Sequence, residues 1–277
     1  MTLQFGPARQ SWPDADVTNL VPYDEIYLPA VFHPWGCLLV EALGPAPGAG
    51  ALDLGCGPGT VARILSARLG PSGAVLGLDA SPGMLRLASA KPAVPAGAPI
   101  TYMEGGLAPL PLPDGSIDAV TGQQVIQFAP DPAAALAEAR RVLRPGGLVG
   151  LTIWSGTADN PLFRALHGAI ASFFGPEAAG RLAKPWSMPP DRLVDLLIGA
   201  GFTDVVQAPR TIPVCFPGGL ADACTMLLFS PVSDEVAALD EPSRRVLHQL
   251  VGRLLEPPAA DGAVHTTTTA SLIAARR

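Results

Sequence analysis

The chain has 277 residues, 48% of them hydrophobic and 15% charged, with a formal net charge of −6; this length buries a sizeable core, and the composition excludes a disordered or fibrous chain. The acidic balance leaves no basic stripe to hold a phosphate backbone, so a small molecule rather than nucleic acid is the expected partner. Four cysteines, Cys37, Cys56, Cys215 and Cys224, show neither C-x-x-C nor a histidine at metal spacing, so they read as reduced thiols and no metal site is expected.

Residues 1–48 carry Trp12, Tyr23, Tyr27, Phe32 and Trp35 without strand alternation and read as a helical N-terminal cap. The first fifteen residues lack a signal peptide's apolar stretch, and no apolar run reaches the roughly 18 to 20 residues of a membrane span. A cytoplasmic protein without membrane contact is the expectation, and a homodimer stays open. From about residue 50, short apolar runs alternate with amphipathic stretches, which is how a sheet covered by helices reads. The strands fall at 49–54, 74–79, 99–104, 117–122, 147–154, 203–212 and 264–274, and the helices at 59–69, 82–90, 132–143 and 190–200. The helix at 132–143 has Asp131 as N-cap, Pro132 at its first position and Pro145-Gly146-Gly147 as its stop. Two stretches break the alternation: 155–189, with the amphipathic run NPLFRALHGAIASFF, and 217–258, with two further helical patterns. In an open α/β sheet, ligands bind beyond the carboxyl ends of the strands, so helices inserted there form a lid on the substrate side. The chain reads as one domain, with 49–154 as its core.

The most informative stretch is ALDLGCGPGT, Ala51 to Thr60, where an apolar strand runs into glycines at 55, 57 and 59 and then into a helix. Glycine permits positive φ and lets a ligand lie against the main chain. The dinucleotide fingerprint G-x-G-x-x-G needs a third glycine where Thr60 stands, and Asp53 precedes the first glycine rather than following the last. Spacing thus sets that reading aside. D-x-G-x-G-x-G, with Asp79 closing the later run VLGLDAS, resembles motif I and its following acid in the class I S-adenosylmethionine-dependent methyltransferases. SPGMLRLASA, MEGGLAPLPLPDGSIDAVTGQQVIQF, ARRVLRPGGLVGLTIW and IGAGFTDV are similar to the family's later segments in order. YDEIYLPAVFHPW is similar to the N-terminal cap of the small-molecule subgroup related to the ubiquinone and menaquinone methyltransferases.

The resemblance implies a Rossmann-like, seven-stranded, mostly parallel sheet with helices on both faces and an antiparallel last strand, binding S-adenosyl-L-methionine. It places the methionine part of that cofactor on Gly55, Cys56, Gly57 and Gly59, the ribose hydroxyls on Asp79 beside Ala80, and the adenine near Met84, Gly106 and Leu107. Asp53 orients motif I or approaches the cofactor amine, Tyr23 closes over it, and Gln123 borders it. Met84 reads equally as a core residue, and Asp79 as an N-cap, although Ser81 already offers that cap. One position departs from the family: Gly106 stands where an acid normally accepts from the adenine amino group. A missing charge-assisted bond costs roughly 1.5 to 3 kcal/mol, about one to two orders of magnitude in affinity.

Gln123 and Gln124 follow the fourth strand, where this fold brings residues alongside the transferring methyl; they read as methyl or substrate contacts or as strand-end caps. His33 and His167 are candidate general bases, because imidazole titrates near neutrality; for a lone histidine the surface or core reading carries the greater weight. The expected activity is methyl transfer to O, N or C of a small apolar metabolite in natural product biosynthesis. A cyclase or isomerase on the same scaffold, and a binding protein without turnover, stay open.

Overall fold

The computed structural model describes residues 21–255 and 262–277; Trp12 and the segment read for a signal peptide lie outside the described residues. Seven runs pair into one sheet: β1 (Gly50–Leu54), β2 (Ala74–Asp79), β3 (Ile100–Glu104), β4 (Ile117–Gln123), β5 (Leu143–Trp154), β6 (Thr203–Phe216) and β7 (Val264–Arg276). Their order is β3-β2-β1-β4-β5-β7-β6. The first five are parallel and β7 is antiparallel to both of its neighbours. The chain winds outward in opposite directions from β1 and β4, so their carboxyl ends flank the crevice where such sheets bind ligands.

Residues 33–43 form α1 (His33–Leu43), and the crossovers form α2 (Thr60–Leu69), α3 (Pro82–Ala90) and α4 (Pro132–Val142). Ser81 Oγ caps α3 by accepting the Met84 N–H at 3.3 Å, and Asp131 Oδ1 caps α4 by accepting that of Ala134 at 3.0 Å. The lid region contains α5 (Pro161–Phe174) and α6 (Pro176–Leu182), then α7 (Pro190–Gly199) returns to the sheet; α8 (Leu220–Ala223), α9 (Ser233–Ala237) and α10 (Glu241–Leu254) follow β6. Helix α10 packs along α5, so the two insertions that broke the sequence alternation form one layer. One apolar core joins the cap, α2 and this layer around Trp35, Leu65 and Leu166. The other joins α4 and α7 to the opposite sheet face around Leu52, Leu136 and Leu197.

Three features correct the sequence reading. β5 starts at Leu143, paired with Ile117, before the register jumps to Leu148 opposite Ala119. Pro145-Gly146-Gly147 is therefore a bulge within a strand. β6 runs on past 212 to Phe216, pairing with β7 back to Val264, because β6 is an edge strand whose outer side tolerates Pro209 and Pro213. Finally, Tyr23–Leu43 is one continuous helical run of 21 residues with mean hydropathy 1.4, long and apolar enough to cross a membrane by length and composition. Its first part, Tyr23–Phe32, is wound as a π-helix. The sequence pattern missed this run because Pro29 and Pro34 interrupt it. Its apolar side chains Tyr27, Leu28, Val31, Trp35, Leu39 and Val40 are buried in the protein.

Trp35 locks this run to the far strand. Its Nε1 donates to Thr268 Oγ1 at 2.9 Å, and its ring meets Trp154 edge-on at a centroid distance of 6.0 Å. Trp35→Ala removes a fully buried aromatic and is expected to lower the unfolding free energy by about 3 to 5 kcal/mol in urea titration.

Candidate functional site

Beyond Leu54 the chain turns through Gly55, Cys56, Gly57, Pro58 and Gly59 into α2, with φ of 60°, 53° and 86° at the three glycines. The glycines are there for different reasons. A Cβ on Gly55 would lie 2.3 Å from Val125 Cγ2, and one on Gly59 would lie 2.3 Å from Tyr102 Oη. One on Gly57 would meet nothing within 4 Å. Packing therefore requires the outer two, while the middle one faces open space.

Asp79, at the carboxyl end of β2, holds this turn to the next one. Its Oδ2 accepts the Gly57 N–H and its Oδ1 the Ser81 N–H, both at 2.8 Å. Burial pushes its carboxyl above the usual range, against the pull of the Ser81 and Gly57 N–H groups. Asp53 is deeper, 1% exposed. Its Oδ1 accepts from Thr121 Oγ1 at 2.8 Å, while its buried Oδ2 has no protein partner among the described residues. Burial raises its carboxyl to about 7, partly offset by the Thr121 hydroxyl and the nearby Ala62 N–H. Burial, then Asp53 and Asp79, push the Cys56 thiol up strongly, so it stays protonated and is no nucleophile.

Asp53, Gly55, Cys56 and Gly57 line a cavity of about 60 Å³ with Tyr23, Phe32 and Gln123. The cap lies across it. Lys91 Nζ reaches both Asp24 Oδ1 at 2.5 Å and Pro58 O at 2.9 Å, tying the cap to the glycine turn. Tyr23 also leans on Phe229 at 4.9 Å, and burial followed by Asp79 and Asp24 keeps its hydroxyl protonated. A larger cavity of about 440 Å³ lies at the opposite edge of the sheet, lined by Gly48, Asp118, Arg144 and Arg276. It is at the amino ends of the strands, and its Arg144 and Asp118 are already paired at 2.5 Å.

The remaining candidates separate. Gln123 lines the cavity and donates its Nε2 to Phe32 O at 2.8 Å. Gln124 is buried instead: the backbone leaves β4 with φ of 53° there, and its Oε1 accepts from Trp154 N at 2.9 Å and Gln127 Nε2 at 3.2 Å. It ties β4 to β5 rather than bordering the cavity. His33 is exposed beside Cys37, with Sγ 3.8 Å from Nδ1, because its helical position faces away from the sheet. His167 is half-buried on α5, Ala80 is exposed after Asp79, and Met84 is half-buried on α3. Gly106 is exposed and Leu107 half-buried in the loop after β3. A Cβ on Gly106 would meet only Ala108 O, at 4.0 Å, so nothing in the fold bars a side chain there. The sequence reading missed Lys91 and Phe229. Lys91 lies 67 residues from Asp24, and no local pattern links such distant positions.

Residues 52–151 match a family model described as a methyltransferase domain. Nocamycin O-methyltransferase from Saccharothrix syringae is 31% identical over 262 residues, covering 88% of this chain and 91% of that protein. The chain belongs to the class I S-adenosylmethionine-dependent methyltransferases. Other relatives match over less than two thirds of their own length: demethylmenaquinone methyltransferase from Lactococcus lactis is 40% identical over 115 residues, 42% of this chain and 46% of that protein. Among solved structures, Haemonchus contortus phosphoethanolamine N-methyltransferase 2 in complex with S-adenosyl-L-methionine shares the fold. Its TM-score is 0.61 at 18% identity, over 97% of this chain and 58% of that one. The cyclase SpnF shares it too, with TM-score 0.54 at 16% identity over 88% of this chain and 80% of that one.

This methyltransferase uses S-adenosyl-L-methionine, and the residues present fit it. The open space beside Gly57 leads to the N-terminus of α2, which suits a carboxylate; Asp53 Oδ2, without a hydrogen-bond partner among the described residues, suits an ammonium, and Asp79 stands at a strand end with acceptor capacity left for hydroxyls.

Asp53 gives a pH signature. Its carboxyl holds a proton more tightly in the fold than in the unfolded chain, so ionising it costs stability as pH rises from about 4 to about 7, with no further cost above. Asp53→Asn keeps the Thr121 bond and abolishes that dependence. Its unfolding free energy relative to the parent chain is expected to rise across this window, by about 1.4 kcal/mol per pH unit, and then stay level in denaturant titrations at several pH values.

Proposed function

We propose that this enzyme transfers the methyl group of S-adenosyl-L-methionine to an oxygen, nitrogen or carbon of a small, largely apolar metabolite of secondary metabolism. The observation that carries the reading is the aromatic layer over the carboxyl ends of β4 and β5. Phe32 meets Trp154 at 6.2 Å, Trp154 meets Phe163 at 5.4 Å, and Phe163 meets Trp186 at 4.4 Å, beside Gln123. The nocamycin enzyme supports it, because its match covers 88% of this chain, well beyond residues 52–151 of the methyltransferase domain. Buried, unpaired Cys56 and Cys224 agree with a reducing, cytoplasmic setting.

The cofactor supplies an electrophilic methyl on a sulfonium, which already contains the leaving group. The protein's part is alignment in a water-poor site, and orientation alone supplies several kcal/mol, of the order of 7 in favourable cases. The N-terminus of α2 holds the amino-acid carboxylate, reached through the open space beside Gly57, Asp53 Oδ2 the ammonium, and Asp79 the ribose hydroxyls. Gly106 and Leu107 offer main-chain groups to the adenine. Gln123 keeps its Oε1 for the methyl or for a hydroxyl of the methyl acceptor that donates to it, while its Nε2 holds the cap at Phe32. His33, exposed, and Gln124, bound to β5, have no part in this arrangement.

Incubation with methyl-labelled cofactor and a library of phenolic, amine and enol natural products should give a labelled product and S-adenosylhomocysteine, and Gly57→Val should abolish both in a folded chain. A product of unchanged mass without S-adenosylhomocysteine would favour a cyclase or isomerase, which is the reading that Gly106 favours. Gly106→Asp restores the family's acid at an open position. It should tighten S-adenosylhomocysteine binding by about one order of magnitude in isothermal titration.

A further inference from the structure

The loop from 105 to 116, between β3 and β4, holds Gly106 and Leu107 and continues through Pro109, Pro111 and Pro113. Prolines lack an N–H, so the loop has few donors for bonds to itself. Its shape is set from outside, by two side chains one turn apart on α4. Glu138 Oε2 accepts the Leu110 N–H at 2.7 Å. The Arg141 guanidinium donates to Leu110 O at 3.0 Å, to Leu112 O at 2.8 Å and to Asp114 Oδ1 at 2.6 Å. Its other contacts form a fork on Glu138, at 2.7 and 2.8 Å. Main-chain bonds finish the seam, with Gly115 N on Arg141 O at 3.0 Å and Ser116 N on Val142 O at 2.8 Å. Leu110, 4% exposed, anchors the same stretch in the core.

Forked, charge-assisted bonds of this kind fix direction as well as distance. Arg141 and Glu138 keep each other charged: Glu138 and then Asp114 raise the guanidinium, and Arg141 holds the Glu138 carboxyl low. The braced residues begin three positions after Leu107. At Gly106 there is no side chain that could adjust to a ligand, so any recognition there falls on main-chain groups placed by the brace.

We propose that Glu138 and Arg141 are positioning residues of the cofactor site, which hold loop 105–116 so that the main-chain groups of Gly106 and Leu107 meet the edge of the adenine. This rests on the placement of adenine at those two residues. Hydrogen bonds weaken steeply with misalignment, and a main-chain reader has no rotamer with which to recover them. The brace therefore governs how well the site distinguishes one base from another, and not only how tightly it binds.

The test is isothermal titration of the full chain with S-adenosylhomocysteine and with S-inosylhomocysteine, whose base carries a carbonyl oxygen in place of the amino group. The parent chain is expected to prefer the adenine compound. Arg141→Ala should weaken S-adenosylhomocysteine at least about tenfold and bring the preference close to one. Glu138→Gln should do so to a smaller extent, and Arg141→Lys should recover part of the preference. A folded Arg141→Ala chain with unchanged affinity and preference overturns the proposal, as does a parent chain with no preference. If Arg141→Ala does not fold by circular dichroism, Glu138→Gln is judged by the same criteria. Gly106→Asp separates the two levels. If it changes S-adenosylhomocysteine affinity while the brace variants do not, the brace is overturned and the adenine placement stands; if no variant changes it, both fall.

Discussion

The carboxylate of Asp79 joins two loops that the sheet only brings near each other. One oxygen takes the N–H of Gly57 from the turn after β1, the other takes that of Ser81 from the turn after β2, each at 2.8 Å. Burial opposes its charge and the two N–H groups support it, so the site is a balance between desolvation and hydrogen bonding rather than a simple ion pair. The position of the turn that leaves open space beside Gly57 depends on this bond. So does the start of α3, since Ser81 is held by Asp79 through its N–H while its hydroxyl caps the helix.

Around that junction the fold divides its work between the two ends of β1 and β4. Their buried apolar residues fill the sheet, and the polar atoms gather where the strands stop: Asp53 against Thr121, Gln123 against the Phe32 carbonyl, Gln124 against Trp154 N. Three of these tie a strand end to its neighbour or to the cap. In that cavity wall Asp53 Oδ2 has no protein partner among the described residues, and the space beside Gly57 Cα stands open. The helical run Tyr23–Leu43 is fixed at two points, by Lys91 at the glycine turn and by Trp35 on Thr268 of β7. The long β6 and β7 arm thus serves as a support for the cap, with Phe216 stacked on Tyr27 at 6.2 Å.

Much of the core was legible from local pattern. The five parallel strands, the serine and aspartate caps and the glycine turn all depend on residues within a few positions of one another, where periodicity and backbone preference act directly. The misreadings share a cause. Pro145-Gly146-Gly147 carries a turn's residues but sits in a strand bulge, and Pro213 carries a breaker's signal on an edge that tolerates it. His33 and Gln124 had the right chemistry and the right segment, but side-chain direction depends on how the helix or strand end is wound.

By itself, the sequence determined the fold family, the cofactor and the residues of the glycine turn, because each rests on short-range spacing: three glycines at alternate positions, an acid at the end of the next strand, and later motifs in order. The tertiary structure alone decided which glycine is open, which glutamine borders the cavity, and what holds the cap and the loop after β3 in place. Those depend on pairs such as Lys91 with Asp24, Trp35 with Thr268 and Arg141 with Leu112. Such partners lie tens to hundreds of positions apart along the chain, and only the folded sheet brings them within hydrogen-bond reach.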